Sequence, residues 1–106
     1  MLIDKFYICG PRAVRWVCDR FQIPLLSPTD MAVLYALKRM ERASIPAMLS
    51  YMNSYGSTVG RSSLAQALPR LIGCGLVSKD RFVYSLSPEG RFFLSRIRNY
   101  LLRIRL

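Results

Sequence analysis

The chain has no histidine, and only six acidic residues are spread through its 106 positions. Imidazole is the side chain that most often moves protons near neutral pH, and paired carboxylates are the usual substitute. Without either, and without a glycine-rich phosphate loop, the acid–base and nucleophilic arrangements of enzymes are not assembled, so no catalytic activity and no cofactor are expected. Cysteine is scarce as well: Cys9, Cys18 and Cys74 stand in no metal-ligand spacing. Cys18, flanked by arginines, is the one candidate for a redox-sensing thiol, although packing as a small hydrophobe is the favoured reading for it and for Cys74. Long apolar runs are missing too. The segment from Leu2 to Cys9 is broken by Asp4 and Lys5 where a signal peptide needs continuity, and no run approaches membrane-spanning length. A cytoplasmic setting is expected. Internal repeats and low-complexity linkers are absent, which predicts a single domain over residues 1–106.

What the chain has in excess is positive charge. Sixteen Lys and Arg against six acids leave a formal charge of +10, which draws polyanions: nucleic acid or an anionic membrane surface. A hydrophobic share of 52% is high for so small a domain and suggests that a partner or a second copy covers apolar surface.

Periodicity organises the rest. Residues 61–90 read RSSLAQALPRLIGCGLVSKDRFVYSLSPEG. Leu64, Leu68, Leu71 and Ile72 recur at helical spacing and predict a buried stripe, with Ser62, Ser63, Gln66 and Arg70 on the opposite face. Gly73 and Gly75 bracket Cys74 at the helix end. Leu76–Lys79 and Phe82–Leu86 follow as strands of a hairpin turning at Asp80-Arg81. Upstream, residues 2–9 form a short strand or extended arm, and Gly10-Pro11 opens a helix to about Phe21, with Val14, Val17, Cys18 and Phe21 on one face. Pro24 keeps the connector of residues 23–26 from continuing that helix. Ser27-Pro28-Thr29-Asp30 predicts a helix to about Arg42 burying Val33, Leu34, Leu37 and Met40. Ser44-Ile45-Pro46 starts another, ending near Asn53, and Tyr55–Gly60 is a turn. From Pro88 an amphipathic helix carries Phe93, Ile97, Tyr100 and Ile104 on one stripe. The fold class is therefore mainly α with a small β-hairpin.

Two short motifs carry a resemblance. Leu71-Ile72-Gly73-Cys74-Gly75-Leu76-Val77 is similar to the L-x-x-x-G-L-V ending of a recognition helix, and Leu86-Ser87-Pro88-Glu89-Gly90 to the L-T-P-x-G entry into a last helix. At this separation, around a hairpin, they resemble the winged helix-turn-helix superfamily and, within it, small bacterial regulators of the PadR and MarR type. The resemblance covers about residues 27–104. It implies a winged-helix core over 27–87, a recognition helix at about 61–73, a wing at 76–86, and flanking helices at 11–21 and 88–105. In such regulators the terminal helices build a dimer, which here implicates Val14, Val17, Phe21, Phe93, Ile97, Tyr100 and Ile104. It further implies a transcriptional regulator on palindromic duplex DNA, associated with the bacterial nucleoid.

The chemistry expected of such a helix is binding. Gln66 offers a donor and an acceptor together to an adenine edge, Arg70 reaches guanine or phosphate, and Ser62 and Ser63 bond either. Arg61, at the helix start, holds phosphate, assisted by the backbone N–H groups there. Lys79 and Arg81 at the hairpin tip meet the backbone or minor groove. Pro69 departs from the pattern, because a proline inside a helix removes one hydrogen bond and crowds the carbonyl four residues back. Three other functions remain open on sequence: a winged-helix protein-interaction module, an accessory protein of replication or of a mobile element, and a peripheral membrane protein using the Arg-rich last helix.

Overall fold

The computed structural model describes residues 14–56 and 59–104, with side chains described as far as residue 99. The proposed arm of residues 2–9 and the Pro11 helix start lie outside the described residues. Helix α1 covers residues 14–21 and turns at Gln22 with φ 57. There follow α2 (Pro28–Met40), β1 (Arg42–Ala43), α3 (Ile45–Ser54), α4 (Arg61–Gly73), β2 (Val77–Asp80), β3 (Val83–Leu86) and α5 (Pro88–Ile104). The chain is mainly helical with a small antiparallel sheet, as periodicity predicted.

Local chemistry sets the helix ends. Ser27 caps α2 by accepting from the Asp30 backbone N–H at 3.1 Å, while the Asp30 carboxylate accepts from the Ser27 N–H at 2.9 Å, a reciprocal pair with Pro28 at the first helical position. Ser44 caps α3 through the Ala47 N–H at 3.3 Å. α4 ends by another device. Leu76 N–H reaches back to the Leu71 carbonyl and Gly75 N–H to that of Ile72, with Gly75 at φ +80. That pair of hydrogen bonds needs a left-handed residue at one position, and glycine takes it without strain. Of the two glycines around Cys74, only Gly75 does this; Gly73 remains helical.

The sheet has the order β1-β3-β2. β3 is central, pairing Tyr84 with Ala43 on one side and with Lys79 on the other. A two-residue strand leaves no periodic trace, and β1 was not foreseen. The hairpin also turns one residue later than expected. Asp80 pairs with Val83, so the loop is Arg81-Phe82, with Arg81 at φ 58.

One core joins all the helices. Val33, Leu34 and Leu37 of α2, Met48 and Met52 of α3, Leu64, Ala67, Leu68 and Leu71 of α4, and Phe93, Leu94 and Ile97 of α5 are buried together with Val14, Val17 and Cys18 of α1. Ile72 departs from the expected stripe and is 37% exposed. It lies about 90° around α4 from the mean direction of the buried residues, and the small Ala67 occupies the core position instead.

The expected dimer surface requires a larger correction. Val14, Val17, Phe93 and Ile97 are each buried at 3% exposure or less inside the chain's own core. The apolar faces of α1 and α5 cover one another, and Phe21 completes the join edge-to-face on Phe93 at 5.3 Å. Tyr100 and Ile104 lie beyond the described side chains.

The two sequence motifs meet in one joint. The Ser87 hydroxyl donates to the Gly75 carbonyl and accepts from the Gly90 N–H at 3.0 Å, while the Ser87 N–H donates to the Leu76 carbonyl at 3.1 Å. Gly90 lies directly on that Leu76 carbonyl: a Cβ built there would stand 2.1 Å from its oxygen. Closure of the hairpin onto the start of α5 therefore depends on serine and glycine at those two positions.

Candidate nucleic-acid interface

α4 buries one side and presents the other. Its buried residues are Leu64, Ala67, Leu68 and Leu71, and its remaining residues are exposed. At about 100° per residue, Ser62, Gln66, Pro69 and Gly73 form the outermost stripe, with Ser63 and Arg70 on one flank and Arg61, Ala65 and Ile72 on the other. Pro69 sits within a continuous helix on this outward stripe. Ser62 and Gln66 are thus brought together on one accessible ridge.

Arg70 is not on that ridge and is not free. Its guanidinium donates to the Asp30 carboxylate at 2.9 Å, binding α4 to the start of α2. Asp30 is one of two buried polar residues among the described residues. Its carboxylate holds the Ser27 N–H with one oxygen and Arg70 with the other, so its charge is compensated from both sides. The expected base contact of Arg70 is corrected accordingly: the side chain is a strut between two helices. Replacing Asp30 with alanine removes the cap bond and the ion pair together. Chemical denaturation is expected to show a loss of about 2 kcal/mol.

The start of α4 is electrostatically open. Gly60 at its N-cap supplies no side-chain bond, so the N–H groups of the first turn keep their partial positive charge, with Arg61 beside them. Between Glu41 and Asp80 the chain has no acidic residue, and this span includes all of α3 and α4. On the hairpin, Lys79 lies over the Tyr84 ring at 5.6 Å and Arg81 is exposed at the turn. Arg42 of β1 reaches Asp80 at 4.0 Å and offsets the single acid of the hairpin.

No family model, curated protein or solved structure matches the chain.

Pattern reading missed two groups of residues. Tyr51 and Tyr55 meet at a tilt with ring centroids 4.9 Å apart at the end of α3, and the Tyr51 and then the Tyr55 hydroxyl beside Arg39 of α2 hold its guanidinium more firmly protonated than usual. This aromatic–basic cluster leads into the turn before α4, and the recurrence of tyrosine four residues apart on α3 was the available signal. The second group lies elsewhere. On α1 and α5, Arg20 covers Trp16 at 4.9 Å, Arg96 lies 6.0 Å from both Trp16 and Phe92, and Phe21 meets Phe92 at 5.7 Å. Trp16 is 37% and Phe92 57% exposed, so this second basic surface carries aromatic side chains.

Redox sensing at Cys18 finds no support. Burial pushes the Cys18 thiol above its ordinary pKa, the reverse of what a reactive thiolate needs. Tyr35 is raised to about 12 for the same reason, far from any physiological titration. Among the described residues no group of three or more His, Cys, Asp or Glu could hold a metal, and no helix is long and apolar enough to cross a membrane.

Proposed function

We propose that residues 27–87 form a winged helix-turn-helix and that the protein binds duplex DNA as a transcriptional regulator. One observation carries the reading most: α4, exposed along one ridge within an acid-free span, leads directly into the outer strand of a sheet ordered β1-β3-β2. That order, with α2 and α3 preceding α4, supports α4 as the recognition helix and the β2–β3 hairpin as the wing. In this reading Ser62, Ser63 and Gln66 read base edges in the major groove. Arg61 and the open first turn hold a phosphate, and Lys79 and Arg81 hold the backbone. Arg70 keeps α4 at its angle to α2.

A homodimer on a palindromic operator belongs to the proposal. Its contacts must come from the outward side of the terminal helices, since Val14, Val17, Phe93 and Ile97 are spent on the core. A second reading has its own observation. Trp16, Arg20, Phe92 and Arg96 form an aromatic–arginine surface of the composition that dominates protein interfaces, which favours a partner protein on α1 and α5.

Selection from a random duplex pool, followed by a salt titration, tests the reading. A single enriched motif is expected, with log affinity falling against log salt at a slope of about −3 per protomer, from Arg61, Lys79 and Arg81. Recovery of no motif, with weak binding to every duplex, would count against sequence readout.

A further inference from the structure

The hairpin tip breaks the chemistry of its own turn. Two-residue loops favour Asn-Gly or Asp-Gly, because the first positions demand left-handed backbone that side chains resist. Here the loop is Arg81-Phe82, with Arg81 held at φ 58, although it is neither glycine nor asparagine. Phe82 is 82% exposed, the highest value among the exposed large hydrophobic residues described. The left-handed backbone at Arg81 and the bare ring of Phe82 beside it both oppose local preference, which points to a tip shaped for contact.

The surroundings of Phe82 narrow what that purpose is. A protein-docking surface needs a contiguous apolar patch, yet Phe82 is the one exposed large apolar side chain of the tip: Arg81 precedes it, Lys79 lies over the Tyr84 ring, and Arg42 stands 4.0 Å from Asp80, the tip's single acid. A lone aromatic ring at a hairpin tip that also carries Arg81 and Lys79 suits a duplex. The cations hold the phosphates on either side, while the ring enters the minor groove and wedges a base step open.

We propose that Phe82 is an intercalating wedge that bends the DNA and gives the wing a preference for a deformable step such as TA. This rests on the DNA-binding reading above and adds to it a role that cationic wing contacts alone do not supply. In the bound state the kink brings more backbone against Arg81 and Lys79, which offsets the cost of unstacking.

The test uses the full-length chain and a duplex recovered by the selection above. It carries a fluorophore pair at its ends and 2-aminopurine at the step facing the wing. Wild type is expected to bend the duplex by more than about 20° and to raise 2-aminopurine emission. Phe82→Ala should bind about tenfold more weakly, with the bend and the emission change lost, while Phe82→Leu should keep part of both. Exposure of the side chain means that both variants should melt like wild type. Wild type that binds the duplex without bending it, or Phe82→Ala that binds and bends it equally, would overturn the wedge and leave the DNA-binding reading standing. Wild type that binds no duplex would overturn both, and that result is read before any variant is made.

Discussion

Gly90→Ala is expected to cost about 3 kcal/mol or more and to lower the melting temperature by about 15 °C. The reason is a single contact. The added methyl would stand 2.1 Å from the Leu76 carbonyl oxygen, 3.0 Å from its carbon and 3.3 Å from a Leu86 methyl. Backbone atoms cannot turn aside as a flexible side chain can, so α5 must lift from the sheet, and the Ser87 bonds to Gly75 and Leu76 lengthen with it. Gly75→Ala is the informative control. A Cβ at Gly75 would meet nothing within 4 Å, but φ +80 disfavours any side chain. Its cost is therefore conformational alone, about 1 kcal/mol. Thermal melts of the two variants should separate clash from strain, and equal losses would contradict the close packing of Gly90 on Leu76.

Arg61→Glu is expected to reduce affinity for the selected duplex about a hundredfold, through the lost phosphate contact and the new repulsion together. Folding should move the other way. Arg61 is exposed in the first turn of α4, where an acid is favoured by the helix dipole by about 0.3–1 kcal/mol. A variant that melts no lower than wild type yet fails to hold DNA assigns the effect to the interface. Parallel filter-binding and thermal melts provide both readings. Unchanged affinity would remove the start of α4 from the contact surface.

The helices were largely readable in the sequence because their signals are local. Ser27-Pro28 with Asp30, Ser44 before Pro46, and Gly75 after Cys74 each fix a helix end by chemistry within a few residues. The apolar stripes of α2 and α4, and of α5 at Phe93 and Ile97, followed from spacing, except at the stripe edges, where Ile72 yielded to Ala67 and Met40 is half-buried. What required tertiary information was not readable. β1 is too short to show alternation, and the hairpin register depends on pairing across β3. Arg70 looked like a reader of bases because its partner, Asp30, lies forty residues away. The terminal helices looked like a dimer surface because an apolar stripe on α1 and another on α5 cannot be seen from sequence to cover each other. Of the expected DNA-contact residues, Arg61, Ser62, Ser63, Gln66, Lys79 and Arg81 are all exposed, which is the condition their proposed role needs.

The chain carries two basic surfaces, one on α4 and the hairpin and one on α1 and α5, and the central claim is that the first of these meets DNA. A titration of the isotope-labelled protein with the selected duplex, followed by amide and indole resonances, tests it most directly. Large shifts are expected at Ser62, Gln66 and Arg81, with the indole of Trp16, the chain's single tryptophan, unmoved. Shifts centred on Trp16 and Phe92, with the α4 amides unchanged, would contradict the account and place DNA on the aromatic–arginine face instead.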